Sequence, residues 1–106
     1  MAGGYDHNYV LDIGGHDAEK VAEVVEEKSG RKMEIFTDRP GIQLYTGNML
    51  GPVNNSKNGA VYHKRDGMCF ETQSFPNSCN LDNFSTSIQK AGKEYYTVTI
   101  YKFSTI

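Results

Sequence analysis

Several kinds of protein are excluded by what this sequence has little of. Its apolar stretches run only a few residues, far short of the ~20 needed to cross a bilayer, and no basic segment followed by an apolar one opens the chain. No membrane partner is expected, and the setting reads as cytoplasmic. Cys69 and Cys79 are the only cysteines, with no close metal-type pair and no multi-cysteine framework, so both are expected reduced. Basic excess is missing too. Eleven Lys+Arg against thirteen Asp+Glu leave a formal charge of -2, which argues against a nucleic-acid partner. Helical segments are scarce, so no glycine-rich phosphate loop precedes a helix, and no serine sits in a nucleophile elbow. His7 and His16 are nine apart with no third ligand, and His63 stands alone, so no metal site is expected.

What is present is the material of an all-β domain. At 106 residues there is room for one domain with a modest core, and a missing layer would leave that core uncovered. Short runs rich in Val, Ile, Tyr, Phe and Thr recur between turn clusters, as in antiparallel β proteins. Strands are expected at Tyr9 to Asp12, at Ala18 to Glu27, and at Lys32 to Thr37 after a Ser29-Gly30 hairpin. Ile42 to Thr46 follows the Arg39-Pro40-Gly41 turn. Val21, Val24 and Val25 also fit helical spacing, but β-branched residues favour the strand. Gly47 to Gly59 carries three Gly, four Asn and a Pro, and reads as a surface loop. Ala60 to His63 and Gly67 to Gln73 follow as strands, Ser74 to Ser87 is irregular, and Glu94 to Phe103 is a long alternating strand.

Glu71 is the ionisable residue that most needs explaining, because it lies within Met68-Cys69-Phe70-Glu71-Thr72-Gln73. Alternation along a strand would put it on a wet face opposite Met68 and Phe70. A general base in a cleft is the other reading.

The ordered combination carries more than its members. Gly4-Tyr5-Asp6-His7-Asn8-Tyr9 is followed by Ser29-Gly30-Arg31-Lys32-Met33-Glu34-Ile35, then by Arg39-Pro40-Gly41-Ile42-Gln43-Leu44-Tyr45-Thr46-Gly47-Asn48. Phe70-Glu71-Thr72-Gln73-Ser74-Phe75-Pro76-Asn77 and Gly92-Lys93-Glu94-Tyr95-Tyr96 come later. Over residues 1–106 this resembles the carboxy-terminal part of the aldose 1-epimerase (galactose mutarotase) family.

That resemblance implies an antiparallel β-sandwich, of which this chain would be roughly the last third. It also implies an isomerase that interconverts the α and β anomers of free hexoses such as galactose and glucose, without a cofactor. A carboxylate takes the proton from the anomeric hydroxyl, a histidine protonates the ring oxygen, and the ring opens and recloses on the other face. Position by position, the family's base falls on Glu71, a sugar-binding aspartate on Asp6 and a sugar-binding glutamine on Gln43. The family's general-acid histidine belongs to the part preceding this sequence. The expected partners are therefore a hexose, and either a second copy or an amino-terminal portion. A truncated, non-catalytic sandwich that binds carbohydrate is the alternative.

Two structural expectations follow. Asp6, Gln43 and Glu71 should converge within about 10 Å at one concave surface, with Glu71 partly buried. Apolar side chains should also lie uncovered on a sheet face.

Overall fold

The computed structural model describes residues 3–106. Six strands form two antiparallel sheets. Strands β1 (Asp6–Val10), β4 (Gly41–Tyr45) and β5 (Cys69–Gln73) make one, in the order β1-β4-β5; β2 (Glu19–Glu26), β3 (Arg31–Thr37) and β6 (Thr99–Thr105) make the other, in the order β2-β3-β6. Single 3-10 turns occur at Lys57–Gly59 and Ser78–Asn80.

The β2-β3 hairpin follows from its turn chemistry. The Glu26 carboxylate accepts the backbone N–H groups of Lys28 (3.1 Å) and Ser29 (2.8 Å), and Gly30, at φ +71°, donates its own N–H to the Glu26 carbonyl. Glycine meets that left-handed conformation without the steric cost of a Cβ.

Between β3 and β4 the chain changes sheets within Asp38-Arg39-Pro40, a corner pinned from the β6 approach. Asp38 accepts the Thr97 hydroxyl (2.6 Å) and the Val98 N–H (3.1 Å). Burial would raise the Asp38 carboxyl, but these two donors and the adjacent Arg39 charge hold it below its ordinary value. Thr37, fully buried, is satisfied by donating to the Val98 carbonyl (3.0 Å) and accepting the Arg39 N–H (3.1 Å).

The sheets face each other as a portion of a β-sandwich. Met33, Ile35 and Thr37 share a face of β3, opposite Val24 and Ala22 of β2 and opposite Phe103, Tyr101 and Thr99 of β6. Ile42, Leu44, Phe70 and Thr72 come from the other sheet. Two polar contacts tie the layers together: Tyr101 Oη donates to the Phe70 carbonyl (2.7 Å), and the Thr72 and Thr99 hydroxyls meet at 2.5 Å. Ile35 and Ile42 are the buried apolar residues at the centre.

This core is thin. The chain exposes 7952 Å² where a closed monomer of this length exposes about 5,900 Å². Its radius of gyration is 16.5 Å against about 13 Å for a compact domain. A cleft of about 330 Å³ opens between the layers among Tyr9, Val21, Ile42, Leu44 and Phe70, and Phe103, on the inner face, is 74% exposed. Apolar side chains are thus left uncovered, as a missing layer predicts.

Beyond shifts of one or two residues at strand ends, such as β5 starting at Cys69 and not Gly67, three segments differ from the sequence expectation. The first strand is Asp6–Val10 instead of Tyr9 to Asp12, because the polar Asp6, His7 and Asn8 pair with Tyr45, Leu44 and Gln43 across the ladder. Ala60 to His63 makes no strand. Only Tyr62 bridges, to Val53, and no strand lies alongside to extend the pairing. The last strand starts at Thr99 and not Glu94, since Thr97 and Val98 are committed to the Asp38 corner.

Candidate functional site

Strand alternation and register place the three candidates on one face. Gln43 lies directly opposite Asn8 on β1 and Glu71 on β5, and Asp6 is two residues from Asn8 on the same side. That face is the outer one of the β1-β4-β5 sheet, away from Ile42, Leu44 and Phe70. Directly opposed residues hold their Cβ atoms about 4.5–5.5 Å apart, so Gln43 and Glu71 are neighbours. Gln43 Nε2 donates to Asp6 Oδ1 at 2.8 Å. All three line one cavity of about 420 Å³, together with Tyr45, Met49 and Gln73.

The motif residues between them hold the frame. Asn48, itself buried, donates from Nδ2 to the Tyr5 carbonyl (2.6 Å), while its Oδ1 accepts the Thr46 hydroxyl (2.7 Å). The Tyr5 N–H in turn donates to Thr46 Oγ1 at 3.1 Å. This lattice locks the start of β1 to the end of β4 and so aims Asp6. Glycine is required on both sides of it: a Cβ at Gly4 would meet Asn48 Oδ1 at 2.0 Å, and Gly47, at φ +66°, would meet the Gly67 carbonyl at 2.6 Å.

Electrostatically the cavity sets two carboxylates beside the amides of Gln43 and Gln73 and the Tyr45 hydroxyl, whose oxygen accepts the Met49 N–H at 2.9 Å. Among the described residues, Glu71 has no ion pair and no hydrogen bond. Gln43 Oε1 is buried without a donor, and Asn8 Nδ2 on the opposing residue is buried without an acceptor. Such orphaned groups carry a desolvation cost that satisfied ones do not, and they concentrate at functional sites.

Glu71 is exposed, as alternation along its strand suggested and against the partial burial expected of a base in a cleft. The reason is alternation. Phe70 points to the sandwich interior, so the apolar character of this strand surrounds the other face. No described side chain roofs the carboxylate.

None of the three histidines lines the cavity. His7 falls on the opposite side of β1 from Asp6, where its Nδ1 accepts the Asp6 N–H (3.1 Å) and its ring meets Tyr5 edge-on at 5.9 Å. Among the described residues no three metal-ligating side chains cluster, and no helix is long and apolar enough to cross a membrane. Tyr45, Met49 and Gln73 are additional lining residues that sequence reasoning had not singled out. Two of them were findable, since Tyr45 is Gln43 plus two and Gln73 is Glu71 plus two, which alternation puts on the same face.

Fold and site together define a class: a portion of an antiparallel β-sandwich whose outer face gathers two carboxylates and two amides around a small-molecule-sized cavity. The sequence profile of the aldose 1-epimerase family matches residues 1–102, and the chain belongs to that family. It is 43% identical over 101 residues to the galactose mutarotases of Mus musculus and Homo sapiens, and 28% identical over 102 residues to the aldose 1-epimerase of Escherichia coli. These alignments cover 94 to 95% of this chain and 29% of each relative, so the chain spans less than a third of the length of the relatives it matches.

Proposed function

We propose that this chain supplies the carboxylate half of an aldose 1-epimerase site acting on free hexoses such as galactose and glucose. Glu71 takes the proton from the anomeric hydroxyl, and Asp6 and Gln43 hold ring hydroxyls. The observation that carries this reading is the meeting of Asp6, Gln43 and Glu71 around one cavity of about 420 Å³, within the roughly 300–1,000 Å³ range of small-molecule sites.

The chemistry explains the arrangement. Anomer exchange needs a base at the anomeric hydroxyl and an acid at the ring oxygen. An unpaired carboxylate is free to accept a proton, while a neutral amide beside a carboxylate offers the donor and acceptor that hydroxyls need. The acid comes from a group outside the cavity described, which makes an amino-terminal portion of the same fold the natural partner. Such a portion would also cover the inter-sheet cleft and roof Glu71. Two free thiols fit a cytoplasmic setting.

A second reading is carbohydrate binding without turnover. The exposure of Glu71 and the absence of a histidine from the cavity favour it for the chain on its own. Polarimetry of freshly dissolved α-D-galactose or α-D-glucose separates the two. The chain alone should stay within a few-fold of the buffer rate, and addition of the amino-terminal portion of a family member should raise it. Sugar binding with no rate gain in the mixture would establish the second reading.

A further inference from the structure

A second cavity, of about 600 Å³, opens where the Asp38-Arg39-Pro40 corner meets the irregular segment after β5 and the approach to β6. It is lined by Arg39, Ser74, Thr86, Ser87, Gln89 and Tyr95, and shares no lining residue with the first. Its cation is held but not neutralised. The Arg39 guanidinium lies over the Tyr95 ring, 5.6 Å from the centroid, and donates to Ser74 Oγ. Among the described residues no carboxylate pairs with it, and the neighbouring Asp38 turns to Thr97 and Val98 instead.

The hydroxyls share a further property. Ser74 Oγ accepts from Arg39, Thr86 Oγ1 accepts the Ile88 N–H at 3.2 Å, and Ser87 Oγ accepts the Ser78 hydroxyl at 3.0 Å. A hydroxyl has one proton to give, and in each case the recorded bond uses the oxygen and leaves the proton free. The amide nitrogen of Gln89 gives one of its two N–H donors to the Lys93 carbonyl. The lining therefore combines uncommitted hydroxyl donors with the remaining guanidinium donors, and no carboxylate.

A cavity of this character is complemented by a group that only accepts and carries negative charge. A carboxylate has two oxygens to offer, whereas a phosphate group presents three or four to an arginine fork and surrounding hydroxyls. We propose that the Arg39 cavity binds a phosphate group, either free or as a small phosphomonoester. The volume is larger than one ion requires, leaving room for the ester's remaining part.

Amide NMR of the full chain, titrated with inorganic phosphate at ionic strength held constant with chloride, tests this. Saturable shifts at Ser74, Thr86, Ser87 and Gln89 are expected, and Arg39→Gln should weaken binding at least about tenfold. Because Arg39 also braces Ser74 and Tyr95, Ser87→Ala serves as a second variant: it keeps the arginine and should weaken binding several-fold with the rest of the spectrum unchanged. A parallel titration with glucose 6-phosphate distinguishes the sources. Tighter binding than inorganic phosphate marks a phosphomonoester site, and equal binding marks a site for the free anion. Shifts that never saturate, or that persist equally in both variants, would overturn the proposal.

Discussion

On the outer face of the β2-β3-β6 sheet, Glu23 and Glu34 lie directly opposite each other across the ladder, and lysines surround them: Lys20 reaches both, Lys32 meets Glu23 at 3.1 Å, and Lys102 meets Glu34 at 3.2 Å. On the outer face of the β1-β4-β5 sheet, Glu71 also sits mid-strand, yet it faces a neutral amide and has no cation. The first arrangement cancels a cross-strand repulsion. Hydrogen bonds from Lys20 and then Lys102 hold the Glu34 carboxyl down at about 2, so at neutral pH it has no useful affinity for a proton. On the second sheet Glu71 is left without such partners among the described residues. The two faces teach how to tell a carboxylate committed to ion pairs from one left uncommitted: by what it is paired with, since both occupy the same kind of strand position.

The sharpest way to break this comparison is to exchange carboxylate for amide on each sheet in an active form completed by an amino-terminal portion. Glu71→Gln should lower turnover by ~10²–10⁴-fold, the contribution of a positioned base, with sugar affinity nearly intact. Glu34→Gln should leave turnover unchanged. An active Glu71→Gln protein in the polarimeter removes Glu71 from the base role.

The next test bears on whether the two sheets depend on each other. Ile35, fully buried at their interface, should cost ~2–5 kcal/mol in urea unfolding when changed to alanine. Val10, 74% exposed, should cost at most about 0.5 kcal/mol on the same substitution. Equal effects would mean the sheets do not share a core.

Smaller effects are expected within the site. Asp6→Ala and Gln43→Ala should each weaken sugar binding by ~1–3 kcal/mol, for a lost hydrogen bond that leaves a partner unsatisfied. Calorimetric titration with galactose reads this directly, and unchanged affinity would detach these residues from the sugar.

The smallest effect belongs to the lysine-glutamate face. Because the folded Glu34 carboxyl is depressed from 4.5 to about 2, its stabilisation is fully present above about 4.5 and is lost as pH falls through about 2. The urea midpoints of the wild type and Glu34→Gln should therefore differ at neutral pH and converge near the lower value. Added salt should narrow the neutral-pH gap, as for exposed pairs.

Much of the site was legible in the chain, and the reason can be seen in individual residues. Tyr5, Thr46 and Asn48 bond one another across β1 and β4 and Gln43 bonds Asp6, so the two motifs that hold them meet in the fold. The exposure of Glu71 was legible from alternation, which set it on the face opposite Met68 and Phe70, whereas the partial burial expected of a base in a cleft is not found. Ala60 to His63 looked like a strand by composition but pairs only through the single Tyr62–Val53 bridge. The Arg39 cavity was invisible for a related reason: Ser74, Ser87 and Tyr95 are brought to Arg39 by irregular segments with no period to read.

By itself the sequence determined the all-β class, the hairpin after Glu26, the family, and which residues of each strand share a face. These follow from local geometry: a strand alternates sides at every residue, and a turn is selected by a few adjacent side chains. Only the tertiary structure decided that Gln43 stands between Asp6 and Glu71, that β6 crosses to join β3, and that the lysines neutralise one outer face and leave the other free. Those outcomes depend on register between strands far apart in the chain, which is set where the inner faces pack together and one residue of slip would turn every side chain to the opposite side.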